Sequence, residues 1–100
     1  MGEKIKLVRP VDFDGRTYME IDLDLESLTG HDLISAERQF LANGANQSIA
    51  VKEFSKEFQA YVAARAVSVP VELIFKLSAP DFSLVTLKVQ NFFLDADSAD

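Results

Sequence analysis

Between residues 17 and 26 apolar and polar positions alternate without a break. Thr17, Met19, Ile21, Leu23 and Leu25 fall on one side of an extended chain, and Tyr18, Glu20, Asp22, Asp24 and Glu26 on the other. A period of two predicts a strand with one face buried and one in water. Upstream, Ile5, Leu7, Arg9 and Val11 share a face, opposite Lys4, Lys6 and Val8. Asp14-Gly15 separates the two segments, and this dipeptide favours a tight hairpin turn because both positions tolerate φ > 0. Two strands are not stable alone in water, so the remainder of the chain must cover the apolar face.

The cover is helical. Thr29 is an N-cap residue and Asp32 stands in capping-box position, where Glu or Gln is more usual. Leu28 and Leu33 occupy the positions of a hydrophobic staple. Leu33, Ile34, Ala36, Phe40 and Leu41 follow as one stripe, and Asn43-Gly44 predicts the stop, with Gly44 suited to a left-handed terminus. Residues 45–49 are small and polar and predict a loop. A second helix is expected over 50–67: Val51, Phe54, Phe58, Tyr61, Val62 and Arg65 recur at helical spacing, and Lys52, Glu53, Lys56, Glu57 and Gln59 form its wet side. Pro70 and Glu72 favour a short helix through Val71, Leu73, Ile74, Phe75 and Leu77 over the alternative of a strand. Ser78 with Asp81 repeats the capping pattern and opens a last helix over 81–94. Residues 95–100 are acidic and small and are expected to form a disordered tail. Strands followed by helices predict an α+β fold: an N-terminal antiparallel β-hairpin, then three to four α-helices packed on one face, as a single domain over 1–94.

Composition narrows the function by exclusion. The 100 residues are 48% hydrophobic and 26% charged, which is globular and not disordered. There is no cysteine, hence no disulfide framework and no thiol nucleophile. No apolar run approaches the roughly 18 residues of a membrane span, and no signal peptide opens the chain. A cytoplasmic protein without membrane attachment is expected. Sixteen acidic residues against ten basic give a net charge of −6, the wrong sign for nucleic-acid binding.

The polar candidates for chemistry each have a plainer explanation. His31 is the only histidine and falls in the first turn of a helix, where the dipole disfavours a charged imidazolium. Asp12, Asp14 and Gly15 resemble the start of a calcium loop, but Arg16 and Thr17 occupy positions that need a ligand and a glycine. Asp22, Asp24 and Glu26 alternate with apolar residues, as the solvated side of a strand does. No catalytic residue, cofactor site or metal site is expected.

The apolar residues are less ordinary. In the last helix Phe82, Val85, Val89, Phe92 and Phe93 make one stripe, and Leu84, Leu87 and Leu94 carry apolar surface well around the cylinder. Such a helix is either buried on several sides or meets a partner. Phe75, Phe93 and Leu94 are the candidate protein-binding residues, on the expectation that some of them stay accessible.

The helical half resembles the phage tail assembly chaperones of Mu-like phages and prophages. The likeness is carried by the run Thr29-Gly30-His31-Asp32-Leu33-Ile34-Ser35-Ala36-Glu37-Arg38, then by Ser55-Lys56-Glu57-Phe58 and Ala63-Ala64-Arg65-Ala66. It continues in Val69-Pro70-Val71-Glu72-Leu73-Ile74, in Asp81-Phe82 and in Val89-Gln90-Asn91-Phe92-Phe93-Leu94. The opening strand, Pro10 and the Asp-Gly turn are also similar to that family. The resemblance implies a non-enzymatic holdase acting in the host cytoplasm. Its partner would be the tape-measure protein, kept soluble during tail assembly, and it would leave before the virion is complete. It also implies a C-terminally extended form that reaches the tail tube protein. It supplies no catalytic residue and no firm binding position.

Two other functions are compatible with the residues: an acidic decoy that mimics nucleic acid, and a small structural component of the tail. Self-association, through the hairpin edge or through the surplus apolar surface, also stays open.

Overall fold

The computed structural model describes residues 2–42 and 55–98. Strand β1 (Glu3–Phe13) pairs antiparallel with β2 (Arg16–Leu23). A 3-10 turn (Leu25–Ser27) leads into helix α1 (Gly30–Ala42). Helices α2 (Lys56–Val67), α3 (Val71–Phe75) and α4 (Ala79–Ser98) complete the α+β order. The expected stop at Asn43-Gly44, the loop over 45–49 and the start of the second helix at 50 lie outside the described residues. Helix α4 begins at Ala79, two residues earlier than its periodicity suggests, and continues past Leu94 to Ser98.

The Asp-Gly turn takes the form its composition favours. Asp14 and Gly15 both have positive φ, 52° and 78°, and the turn closes on the pair Phe13 and Arg16. Beyond it the ladder is interrupted. Lys6 pairs with Glu20 and Val11 with Tyr18, so residues 7–10 of β1 stand against Met19 alone. Such a bulge bends the strand and shifts its alternation. Ile5, Leu7 and Val11 are buried from β1, but only Ile21 and Leu23 from β2. Met19, on the apolar side by simple alternation, is 60% exposed, while Tyr18, on the wet side, is half-buried against the core. A period-two reading assumes one continuous ladder, and the bulge breaks that assumption.

The bulge is held from outside the sheet. Pro10 has no N–H to offer. The N–H groups of Val8 and Arg9 donate to Oδ1 and Oδ2 of Asp81, at 3.0 and 3.2 Å. Asp81 is 2% exposed and sits at the start of α4. Its backbone N–H donates to the Ser78 hydroxyl at 3.4 Å, and that hydroxyl donates back to Oδ2 at 3.0 Å. The Ser78 hydroxyl therefore caps α4, and the Asp81 carboxylate holds that hydroxyl in place and fixes β1 to the helix. Burial raises the cost of its charge. The Val8 and Arg9 N–H groups, the Ser78 hydroxyl and the Arg9 charge outweigh that and hold it below the ordinary 3.8.

The same device joins α1 to α2. Thr29 N–H donates to Asp32 Oδ2 at 2.9 Å, and Asp32 N–H donates to the Thr29 hydroxyl at 3.3 Å. The other oxygen, Oδ1, accepts from Nε and Nη2 of Arg65 at 3.2 and 2.8 Å. Arg65, a charge in the apolar stripe of α2, finds its partner there. The Thr29 N–H and the Arg65 guanidinium hold the Asp32 carboxyl below its ordinary value.

Helix α2 is the centre of the molecule. Phe58, Ala60, Tyr61, Val62, Ala63, Ala64 and Ala66 are all buried. It packs against α1, α3, α4 and β2, and its four alanines leave room for so many neighbours. Gln59, expected on the wet side, is 1% exposed and donates to Gln90 Oε1 on α4 at 3.3 Å. Lys56 Nζ likewise reaches the buried Thr86 hydroxyl at 3.2 Å. Helix α3 starts after Pro70, as the sequence predicts, and Lys76 at its end donates to the Asp12 carbonyl in the hairpin at 2.9 Å.

Replacing Asp81 by Ala removes the group that orients the Ser78 cap and leaves two strand N–H groups without their acceptor. A loss of about 2–4 kcal/mol is expected in urea unfolding. The pH dependence has a definite sign. Asp81 titrates lower in the folded chain than its ordinary 3.8, so the unfolded chain binds more protons in that range and stability rises with pH. The stabilisation is complete above about pH 5 and disappears as pH falls through the folded-state pKa. Asp81→Asn should flatten part of that acid-side fall; an unchanged slope would show that another group causes it.

Candidate protein-binding surface

Helix α4 has two apolar sides. Residues turn by about 100° each along a helix, so Val85, Val89, Phe82 and Phe93 share one side. Val85 and Val89 are fully buried, and Phe82 and Phe93 are packed against the core. Leu84, Leu87 and Leu94 lie on the opposite side, within an arc of about 80°. They are 40%, 48% and 45% exposed. The stripe runs about 15 Å along the axis, and the exposed Asn91 falls within the same arc. Among the described residues seven large apolar side chains are strongly exposed, and α4 carries three of them on one face. Of the other four, Val8 lies in the strand bulge, Met19 stands opposite it, Ile34 is on α1 and Phe75 on α3, so no other element carries a comparable stripe.

The candidates Phe75, Phe93 and Leu94 occupy different settings. Leu94 belongs to the outer stripe with Leu84 and Leu87. Phe93 is half-buried: its ring stacks on Phe58 with centroids 6.4 Å apart and contacts Phe92 at 6.1 Å. Phe75 is 45% exposed on α3, its ring 5.9 Å from Tyr61 and 6.4 Å from Phe82. Phe82 and Phe93 are eleven residues apart, about 16 Å along α4. The fold therefore brings Leu94 together with Leu84 and Leu87, and places Phe75 at the other end of the helix.

The rings are linked all the same. Phe40 meets Phe58 and Tyr61 edge-on, at 5.7 and 6.2 Å. A continuous series runs from Phe82 through Phe75, Tyr61, Phe40, Phe58 and Phe93 to Phe92. It has an exposed ring at Phe75, half-buried rings at the α4 end and the fully buried Phe40 in the middle. Sequence periodicity finds each ring on its own helix but not the contacts between helices. The outer stripe was legible as surplus apolar residues on α4, though not which of them would be left uncovered.

Beside the stripe an open groove of about 340 Å³ separates α4 from the end of the hairpin. Leu25 and Phe92 give it apolar wall, and Glu3, Glu26, Lys88 and Asn91 give it polar rim. Lys88 Nζ pairs with Glu3 Oε2 across it at 2.7 Å.

The polar residues that could carry chemistry take ordinary places in the fold. Asp12 Oδ1 accepts from the Thr17 hydroxyl across the hairpin at 2.6 Å. Asp22 and Glu20 stand opposite Lys4 and Lys6 in the strand register. His31 is exposed in the first turn of α1. Among the described residues no three His, Cys, Asp or Glu side chains are grouped to hold a metal ion, and no helix is long and apolar enough to cross a membrane.

The family model described as phage tail assembly chaperone proteins, E, or 41 or 14, matches residues 4–94. No curated protein and no solved structure matches the chain.

Serine at Leu84 or Leu87 should change stability by no more than about 0.5 kcal/mol, since both side chains already face solvent. Phe93→Ala, which removes the ring stacked on Phe58, should cost about 1–3 kcal/mol. Urea unfolding of the three variants checks this, and an equal loss at Leu87 would place that residue in the core.

Proposed function

The chain belongs to the phage tail assembly chaperone family, and from that premise we propose that it holds the tape-measure protein in soluble form until the tail is built. The observation that carries this reading is the outer stripe of α4. A domain whose core is already filled by α2 keeps three leucines in water on a rigid helix. A long helical client with apolar stripes aggregates when unpartnered, and a surface of this kind covers such a stripe. The net charge of −6 keeps the resulting complex dispersed. The role is non-enzymatic, belongs to the host cytoplasm and ends before the virion is complete. Against the acidic decoy stands the sheet register: Glu20 and Asp22 face Lys6 and Lys4, so the carboxylate row is partly offset by ammonium groups.

Co-expression with the tape-measure protein of the same phage tests the proposal. The client should move from the pellet to the soluble fraction and co-elute with this chain at both low and high salt, because apolar contacts survive screening. A client that stays insoluble in the presence of the full chain overturns the reading. Recovery of the chain from purified tails would favour a structural component instead.

A further inference from the structure

The spacing on the outer face of α4 specifies what it receives. Leu84, Leu87, Asn91 and Leu94 are related as i, i+3, i+7 and i+10, the a and d positions of two heptads, with a polar residue at one a position. That is the seam a second helix packs into, and Asn91 is the kind of residue that fixes register at some cost in affinity. The groove adjoins the seam at Asn91. Its rim carries one more carboxylate than ammonium, since Glu3 and Glu26 stand against Lys88, and Lys88 is already engaged by Glu3.

We infer that α4 receives an amphipathic helix with basic flanking residues, its apolar seam over Leu84, Leu87 and Leu94 and its basic flank over the groove edge at Glu26. This rests on the chaperone reading and names the segment of client it selects. A second copy of the chain is the poorer occupant. It too carries a charge of −6, so two copies would repel each other. A short seam suits a contact that must later be released.

The probe is a labelled three-heptad peptide with Leu at a and d and Lys at e and g. The controls carry Glu at e and g, or the same residues in shuffled order. Anisotropy with the full chain should show the Lys-flanked peptide binding, weakening but not lost as salt rises because the apolar seam is not screened, and gaining helix by circular dichroism. The Glu-flanked and shuffled peptides should bind at least about tenfold more weakly, as should the Lys-flanked peptide with Leu87→Asp. Leu84→Ser with Leu94→Ser provides a second variant, and unfolding curves confirm that each is folded. Equal binding of the Lys- and Glu-flanked peptides, or unchanged binding by the variants, would overturn the inference. So would sedimentation of the chain as a dimer that Leu87→Asp dissociates. Co-expression separates the two levels. If Leu87→Asp still keeps the tape-measure protein soluble, this face is wrong and the chaperone reading stands. If the unaltered chain fails with that client but binds the peptide through Leu87, the face stands and the chaperone reading falls.

Discussion

The Asp81 carboxylate is where the two halves of the molecule are joined. A two-stranded sheet has little stability of its own, and here β1 also loses its regular ladder between Lys6 and Val11. The donors released by that interruption need an acceptor, because a buried N–H without one costs more than a typical hydrogen bond contributes. Asp81 supplies it from the first turn of α4, while Ser78 anchors the same side chain. One group thereby sets the hairpin against the helix and holds the Ser78 hydroxyl that caps the helix start. The side chain is short and the site almost dry, so the orientation of β1 to α4 is tightly determined.

Both capping boxes in the chain use Asp where Glu is commoner, and the structure supplies a reason. In each, the carboxylate serves its own helix and also bonds to another element. Asp32 bonds to the Arg65 guanidinium on α2, and Asp81 to two strand N–H groups. A local signal for a helix start thus doubles as a tertiary contact. With α2 in the middle, these two joints and the linked aromatic rings arrange α1, α3, α4 and the hairpin around a single core.

That arrangement explains the two-sided α4. The centre of the domain is taken by α2, whose alanines admit neighbours closely, so α4 is held from one side only. Val85 and Val89 turn inward, and the leucines opposite them have nothing left in the described chain to cover them. An apolar stripe kept on a well-anchored helix differs from scattered exposed side chains, which most proteins carry. Here it is left exposed by a fold that is otherwise complete, and the proposed client contact would need no rearrangement of it.

Much of this was legible in the residues alone. The turn at Asp14-Gly15, the caps at Thr29 and Ser78, the start of α3 after Pro70 and the α+β order all follow from local chemistry, which operates over a few neighbouring residues. Family membership was legible in the order and spacing of short motifs. The sequence did not reveal the bulge opposite Met19, the burial of Gln59, the second use of Asp32 and Asp81, or which side of α4 stays in water. Each depends on a group far away in the chain: Val8 on Asp81, Gln59 on Gln90, the outer leucines on α2 having filled the centre. Periodicity measures how much apolar surface an element has, and only packing decides how much of it finds a neighbour.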